Sequence, residues 1–305
     1  MMRRPLWSGV ALSALLAASV AAQQVFRGGT DVVMLSVTVF DGAGRLVPGL
    51  EQTDFQVFED GATQDITNFA RERQPVALSL LLDSSTSMEQ KLVVAQEAAV
   101  GFAKRLSKRD VAQVIEFDSQ TQILQTFTND DVLLERAIRR TRAGGSTSLY
   151  NAIYAALSEL KRVRAQSPDE IRRQAIVVLS DGEDTSSVID FDQLLEAAKR
   201  SEVIIYAIGL KDREAAGAGR WNEADYVLRS LTRETGGFAY FIEDVNQLAG
   251  IYSQIAEELA NQYTIGYSSK NGKKDGAWRR ISVQVSRSST TARTKAGYFA
   301  PTVRK

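Results

Sequence analysis

Three short segments carry residue types that could do chemistry. Asp83-Ser84-Ser85-Thr86-Ser87 sets a carboxylate and two hydroxyls at alternate positions, directly after an apolar run. Gly144-Gly145-Ser146-Thr147-Ser148-Leu149-Tyr150 places hydroxyls in a glycine-rich turn before a helical stretch. Leu179-Ser180-Asp181-Gly182-Glu183-Asp184-Thr185 places carboxylates after a second apolar run. All of these are oxygen donors. The 305 residues include no histidine and no cysteine, which removes Ser-His-Asp and cysteine-nucleophile chemistry, ordinary zinc sites and disulfides. Any metal must then be held by oxygen, which favours Mg²⁺, Mn²⁺ or Ca²⁺. Taken alone, the first array also reads as a helix N-cap, with Ser87 standing before Glu89-Gln90.

The elements that position these segments follow from hydrophobic patterning. Val76–Asp83 and Gln174–Ser180 are nearly unbroken apolar runs, the mark of strands covered on both faces. Further strands are expected at Val111–Phe117, Gln122–Phe127, Val203–Leu210 and Phe238–Ile242. Helical spacing covers Glu89–Leu106, Asp131–Arg140, Leu149–Val163, Asp192–Arg200, Glu223–Thr235 and Gln247–Gln262. Alternation of this kind predicts an α/β, doubly wound, mostly parallel sheet with helices on both faces. All three chemical segments would then meet above its carboxyl edge, where such sheets bind ligands.

The flanks differ in style. Val32–Phe40, Phe55–Glu59 and Gln64–Phe69 read as short strands before the α/β region, and Tyr263–Tyr267, Arg280–Ser286 and Arg293–Phe299 as strands after it. Three strands are marginal alone, so the economical expectation is one β-sandwich shared by both flanks, with Tyr263, Tyr267, Tyr298 and Phe299 in its core. The alternative is an N-terminal sandwich with a separate C-terminal hairpin. Residues 1–22 read as a signal peptide: Arg3-Arg4, an apolar stretch from Pro5 to Val20, and cleavage after Val20-Ala21-Ala22. The expected organisation is a signal at 1–22, sandwich strands at 23–74, an α/β domain at 75–262 and further sandwich strands at 263–305. The expected location is exported, periplasmic or secreted, with no membrane span after signal cleavage; an uncleaved anchor is the alternative.

The three chemical segments resemble the metal-ion-dependent adhesion site of the von Willebrand factor A family, and the resemblance covers about Val76 to Gln262. It implies that Asp83, Ser85, Ser87, Thr147 and Asp181 occupy metal-coordinating positions. Ser146 lies where a second glycine is common, and Asn151 where many relatives carry Asp. The flank segments Asp54-Phe55-Gln56-Val57-Phe58-Glu59-Asp60-Gly61 and Ala296-Gly297-Tyr298-Phe299-Ala300-Pro301 resemble a bacterial von Willebrand A-related family described chiefly from Acidobacteria.

Three hydroxyls and two carboxylates only just neutralise a divalent ion, so it stays electrophilic and can accept an outside carboxylate. The implied cofactor is Mg²⁺ or Mn²⁺ ahead of Ca²⁺, and the implied partner is a protein presenting Asp or Glu. The matching counts of 37 basic and 37 acidic residues give no electrostatic reason to expect nucleic acid. An enzyme is the competing reading, with Asp83 as a phosphoryl acceptor as in haloacid-dehalogenase-like phosphatases. Those enzymes carry a second Asp where this chain has Ser85, which removes the acid for the leaving group. A third reading is a scaffold whose metal only staples loops. Glu183 and Asp184 read as solvated loop residues, Lys91 as an exposed helix residue, and Arg139, Arg140 and Arg142 as a solvated face. Lys211–Asn222, with Arg220-Trp221 at its end, reads as a mobile loop on the ligand edge, where Arg220 and Trp221 could contact the partner.

Overall fold

The computed structural model describes residues 32–166, 172–181, 183–211 and 223–302. Its first strands are β1 (Val32–Asp41), β2 (Phe55–Glu59), β3 (Ala62–Gln64), β4 (Ile66–Ala70) and β5 (Val76–Asp83). There follow α1 (Leu92–Ala103), β6 (Val111–Phe117), β7 (Thr121–Thr128), α2 (Asp131–Ile138), α3 (Leu149–Gln166) and β8 (Arg173–Ser180). Next come α4 (Phe191–Arg200), β9 (Ile204–Leu210), α5 (Glu223–Thr235), β10 (Ala239–Ile242) and α6 (Leu248–Ala260). The chain closes with β11 (Tyr263–Ser268), β12 (Trp278–Val285), β13 (Thr290–Arg293) and β14 (Gly297–Phe299).

The central sheet has the order β10-β9-β8-β5-β6-β7. Every pairing in it is parallel except β6 with β7 at the edge. All eight residues of β5 are buried, and the pleat divides them. Leu78, Leu80 and Leu82 pack under α1, α2 and α6; Ala77 and Leu81 pack under α3, α4 and α5. An unbroken apolar strand is what two covered faces require. The chain leaves β5 toward β6 on one side and later returns through β8 on the other. The gap between the β5 and β8 loops is therefore the topological switch point.

The flanks form two four-stranded sheets, β13-β1-β11-β4 and β14-β12-β2-β3, each built from strands before and after the α/β region. One apolar cluster fills the space between them, including Leu35, Val37, Phe55, Val57, Tyr263, Ile265 and Tyr267. This is the shared sandwich, and the separate-hairpin alternative is excluded. Two expected strands are each divided. Gln64–Phe69 splits at Asp65, because β3 pairs with β2 while β4 pairs with β11. Arg293–Phe299 splits likewise, because β13 pairs with β1 and β14 with β12. In both places the chain crosses from one sheet to the other. Tyr263 and Tyr267 are core residues as expected, whereas Phe299 lies against Trp278 and the Arg200 guanidinium.

The two flank motifs meet. Glu59, 2% exposed, accepts hydrogen bonds from Tyr267 (2.9 Å), Tyr298 (3.0 Å) and Ser269 (2.6 Å), and pairs with the buried Arg279 at 3.3 Å. No helix among the described residues is long and apolar enough to cross a membrane. The expected signal peptide and its cleavage at Ala22–Gln23 lie outside the described residues.

Candidate metal centre

The carboxyl ends of β5 and β8 bring the first and third chemical segments side by side. Asp83, the last residue of β5, is fully buried. Its Oδ1 accepts from the Ser85 backbone N–H at 2.8 Å and its Oδ2 from the Ser180 hydroxyl at 2.5 Å. Both donors are neutral, and no ammonium or guanidinium touches Asp83 among the described residues. Burial pushes its pKa up to about 6; the Ser180 and Ser85 hydrogen bonds hold the rise back, and the nearby Asp181 charge adds to it.

After Asp83 the chain turns through a short 3-10 segment, Thr86–Met88, and α1 starts only at Leu92. Ser87 is therefore not the cap of α1. Its hydroxyl donates to Asp181 Oδ1 at 2.7 Å and lies 3.0 Å from the Ser85 hydroxyl. Asp181 Oδ2 accepts from the Lys91 ammonium at 2.7 Å. Lys91 thus points into the site rather than away from it, and its charge occupies the carboxylate that the sequence pattern offers to a cation.

The glycine-rich loop is tied to the β5 loop through backbone. Gly144 N–H donates to Ser84 O at 2.7 Å, while Gly145 O accepts from both the backbone N–H and the hydroxyl of Thr86. Gly145 has φ +75° and packs so that a Cβ would come within 2.5 Å of the Ser119 hydroxyl, so glycine is required there. Thr147 is fixed by its own backbone: its N–H donates to the Thr185 hydroxyl at 2.9 Å and its carbonyl accepts from Thr185 and Ser186. The Thr147 side-chain hydroxyl has no hydrogen-bond partner among the described residues.

Four contributors escaped the sequence reading. Ser180 holds Asp83, as described. Thr185 holds Thr147. Asp184 is no solvated loop residue: it accepts from Tyr150 N–H at 3.0 Å and from the Ser187 hydroxyl at 2.6 Å. Ser187 in turn accepts from Asn151 N–H, and Asn151 Oδ1 accepts from Val188 N–H. The β8 loop therefore caps α3 from outside. Such a cap has no local sequence signature, because donor and acceptor lie more than thirty residues apart. Burial, and then the charges of Asp184, Glu223 and Glu183, push the Tyr150 hydroxyl up to about 12.

The segment Asp83, Ser85, Ser87, Asp181 is thus one contiguous array of oxygens, with Thr147 on the adjoining loop. It contains two carboxylates, and no group of three or more acidic residues that could hold a metal occurs among the described residues. The donor set fits a hard divalent cation: neutral hydroxyls and two acids, of which Asp83 is buried with no cation against it. Arg220, Trp221 and the rest of the loop 212–222 lie outside the described residues.

The profile of the von Willebrand factor type A domain matches residues 78–254, more than half of the chain. The chain belongs to the von Willebrand factor type A domain family. Domains of this family generally mediate protein–protein interaction and are typically not enzymes. Among similar proteins, inter-alpha-trypsin inhibitor heavy chain H1 of Sus scrofa is 27% identical over 202 residues, 61% of this chain and 21% of that protein. An uncharacterized protein of Borreliella burgdorferi is 25% identical over 68% of this chain and 60% of its own length. The chain thus spans about a fifth of the first relative and three-fifths of the second. A solved von Willebrand factor type A structure from Catenulispora acidiphila covers 92% of this chain and 78% of its own, with TM-score 0.52 and 12% identity, a likeness of fold.

Proposed function

We propose that this von Willebrand factor type A protein is an exported, metal-dependent protein-binding module. In this reading Asp83, Ser85, Ser87, Thr147 and Asp181 hold one Mg²⁺, with Mn²⁺ as a substitute and Ca²⁺ a poorer one. The partner is a protein that offers an Asp or Glu to the site. The observation that carries the reading is Asp83, a fully buried carboxylate whose only donors are neutral. A charge so placed costs several kcal/mol unless a cation balances it.

When bound, the divalent ion supplies that charge and polarises an incoming carboxylate oxygen. The chain's own residues do the rest. Ser180 and the Ser85 N–H orient Asp83, and Ser87 positions Asp181. A phosphatase-like role for Asp83 is disfavoured, because the position two residues on is a hydroxyl, Ser85, not an acid.

The test is capture from the exported proteins of the source organism, with Mg²⁺ against EDTA. The expected result is a partner retained in Mg²⁺, released by EDTA and lost in Asp83→Ala. Equal capture in EDTA would contradict the proposal. Within the same assay Trp221→Ala is expected to weaken capture while Mg²⁺ affinity stays unchanged. Export rests on residues 1–22 and is checked by N-terminal sequencing, with Gln23 expected and an intact Met1 in the membrane fraction against it. The narrower kinship with the bacterial family described chiefly from Acidobacteria is likewise a proposal, supported by the flank motifs that meet at Glu59.

A further inference from the structure

At the opposite end of the central sheet from the metal loops, the amino-terminal ends of β5, β8 and β9 face β1 and β4 of the sandwich. Between them lies a cavity of about 440 Å³. Five cationic side chains line it against two carboxylates, Glu202 and Glu234. Both carboxylates are already engaged. Glu202 pairs with Arg164, and Glu234 with Lys199 at 3.6 Å. Two further cations are spent on backbone and amide oxygens and hydroxyls. Arg173 donates to Gln262 O and the Thr264 hydroxyl at 2.8 Å each, and Arg172 donates to Arg109 O.

Lys295 is different. It sits where the chain crosses from β13 to β14, and its backbone is held there, with the next residue's N–H (Ala296) on Glu234 O. Among the described residues its ammonium makes no hydrogen bond and no ion pair. Burial depresses its pKa, and the Glu202 charge that would support it is opposed by Arg164. A partly buried ammonium that lines a cavity without an ion-pair partner is a point of attachment for an anion from outside.

We propose that this cavity is a binding site for a small carboxylate with an apolar body, its carboxylate group on Lys295. A single uncommitted ammonium is a point charge that suits a monovalent carboxylate, whereas phosphate recognition calls for several converging donors. The walls beside it include Met34, Phe69, Val163 and Ile204, which suit a hydrocarbon tail. The volume falls within the roughly 300–1,000 Å³ of small-molecule sites, and junctions between layers are where such sites occur. The proposal is independent of the metal reading, since the two sites occupy opposite ends of the sheet.

The experiment is thermal unfolding of the full chain in EDTA, at ionic strength fixed with chloride, against acetate, butyrate, hexanoate and inorganic phosphate. The midpoint is expected to rise in the order acetate, butyrate, hexanoate. Calorimetry should show hexanoate binding at least about tenfold tighter than acetate, as added methylenes are buried. Lys295→Met should melt no lower than wild type without ligand and should lose the rise. If the Met variant does not fold, Lys295→Gln provides the same comparison. No response to any carboxylate, an undiminished response in the Lys295 variant, or a larger rise with phosphate would each overturn the proposal.

Discussion

Two buried acids in this molecule have opposite surroundings. Glu59 in the sandwich and Asp83 at the end of β5 are both withdrawn from water, at 2% and 0% exposure. Glu59 is supplied from within: the Arg279 guanidinium and three hydroxyls converge on its two oxygens. Asp83 receives one backbone N–H and one hydroxyl, with another acid close by. The difference separates a carboxylate that stabilises the fold from one that the fold holds at a cost. The first ties the two flanks together. The second is relieved either by a proton or by a cation, and at neutral pH a bound cation is the relief that the proposed metal site supplies.

The largest effect that would sharpen this contrast is on the Glu59 side. Arg279→Met leaves a buried carboxylate without its cation and should cost about 3–5 kcal/mol in denaturant unfolding. A loss below about 1 kcal/mol would break the comparison.

On the Asp83 side the sign reverses. Its pKa is raised in the folded chain to about 6 from 3.8. The stability linked to this group is therefore fully present below about pH 4 and is lost as pH rises through 6. In EDTA at pH 7, Asp83→Asn should be more stable than wild type by about 1–3 kcal/mol, on the scale of 1.4 kcal/mol per pH unit. The gain should vanish near pH 4. Urea titrations at the two pH values check it, and a destabilised Asn variant at pH 7 would contradict it.

Smaller effects follow at the loops. Asp184→Ala removes the outside cap of α3 and should cost about 0.5–2 kcal/mol, read in the same unfolding assay. Lys91 sits on Asp181 with 21% of its side chain exposed. Lys91→Met should then tighten Mg²⁺ binding, because the ammonium no longer competes for the Asp181 carboxylate. Calorimetry showing weaker binding in Lys91→Met would mean that the lysine supports the ion rather than competing with it.

Much of this arrangement can be read in the sequence, for physical reasons that vary by element. Val76–Asp83, Phe55–Glu59, Val111–Phe117 and Glu223–Thr235 match their observed bounds, because apolar runs and helical stripes end at clear polar breaks. The Asp-x-Ser-x-Ser array is equally local, so its position at the strand end follows directly. The sheet crossings at Asp65 and at Thr294–Ala296 are not local. No proline marks them, and they are set by which partner strand lies on either side. The roles of Ser180, Asp184, Thr185 and Ser187 are hidden for the same reason, since each acts on a segment distant in sequence. Helical spacing puts Lys91 on an exposed face, whereas the 3-10 turn at Thr86–Met88 delays α1 to Leu92 and the lysine lies on Asp181.

The most direct measurement of the central claim is calorimetric titration of Mg²⁺ into the full chain at pH 7.5, wild type beside Asp83→Asn. The Asn variant keeps the shape and one accepting oxygen for the Ser85 N–H, its amide NH2 can donate to the Ser180 hydroxyl, and it lacks the charge; in EDTA it should be folded and no less stable. Wild type should show one site and a rise in melting temperature with added Mg²⁺, and Asp83→Asn neither. Saturable Mg²⁺ binding of undiminished affinity in the variant would contradict it.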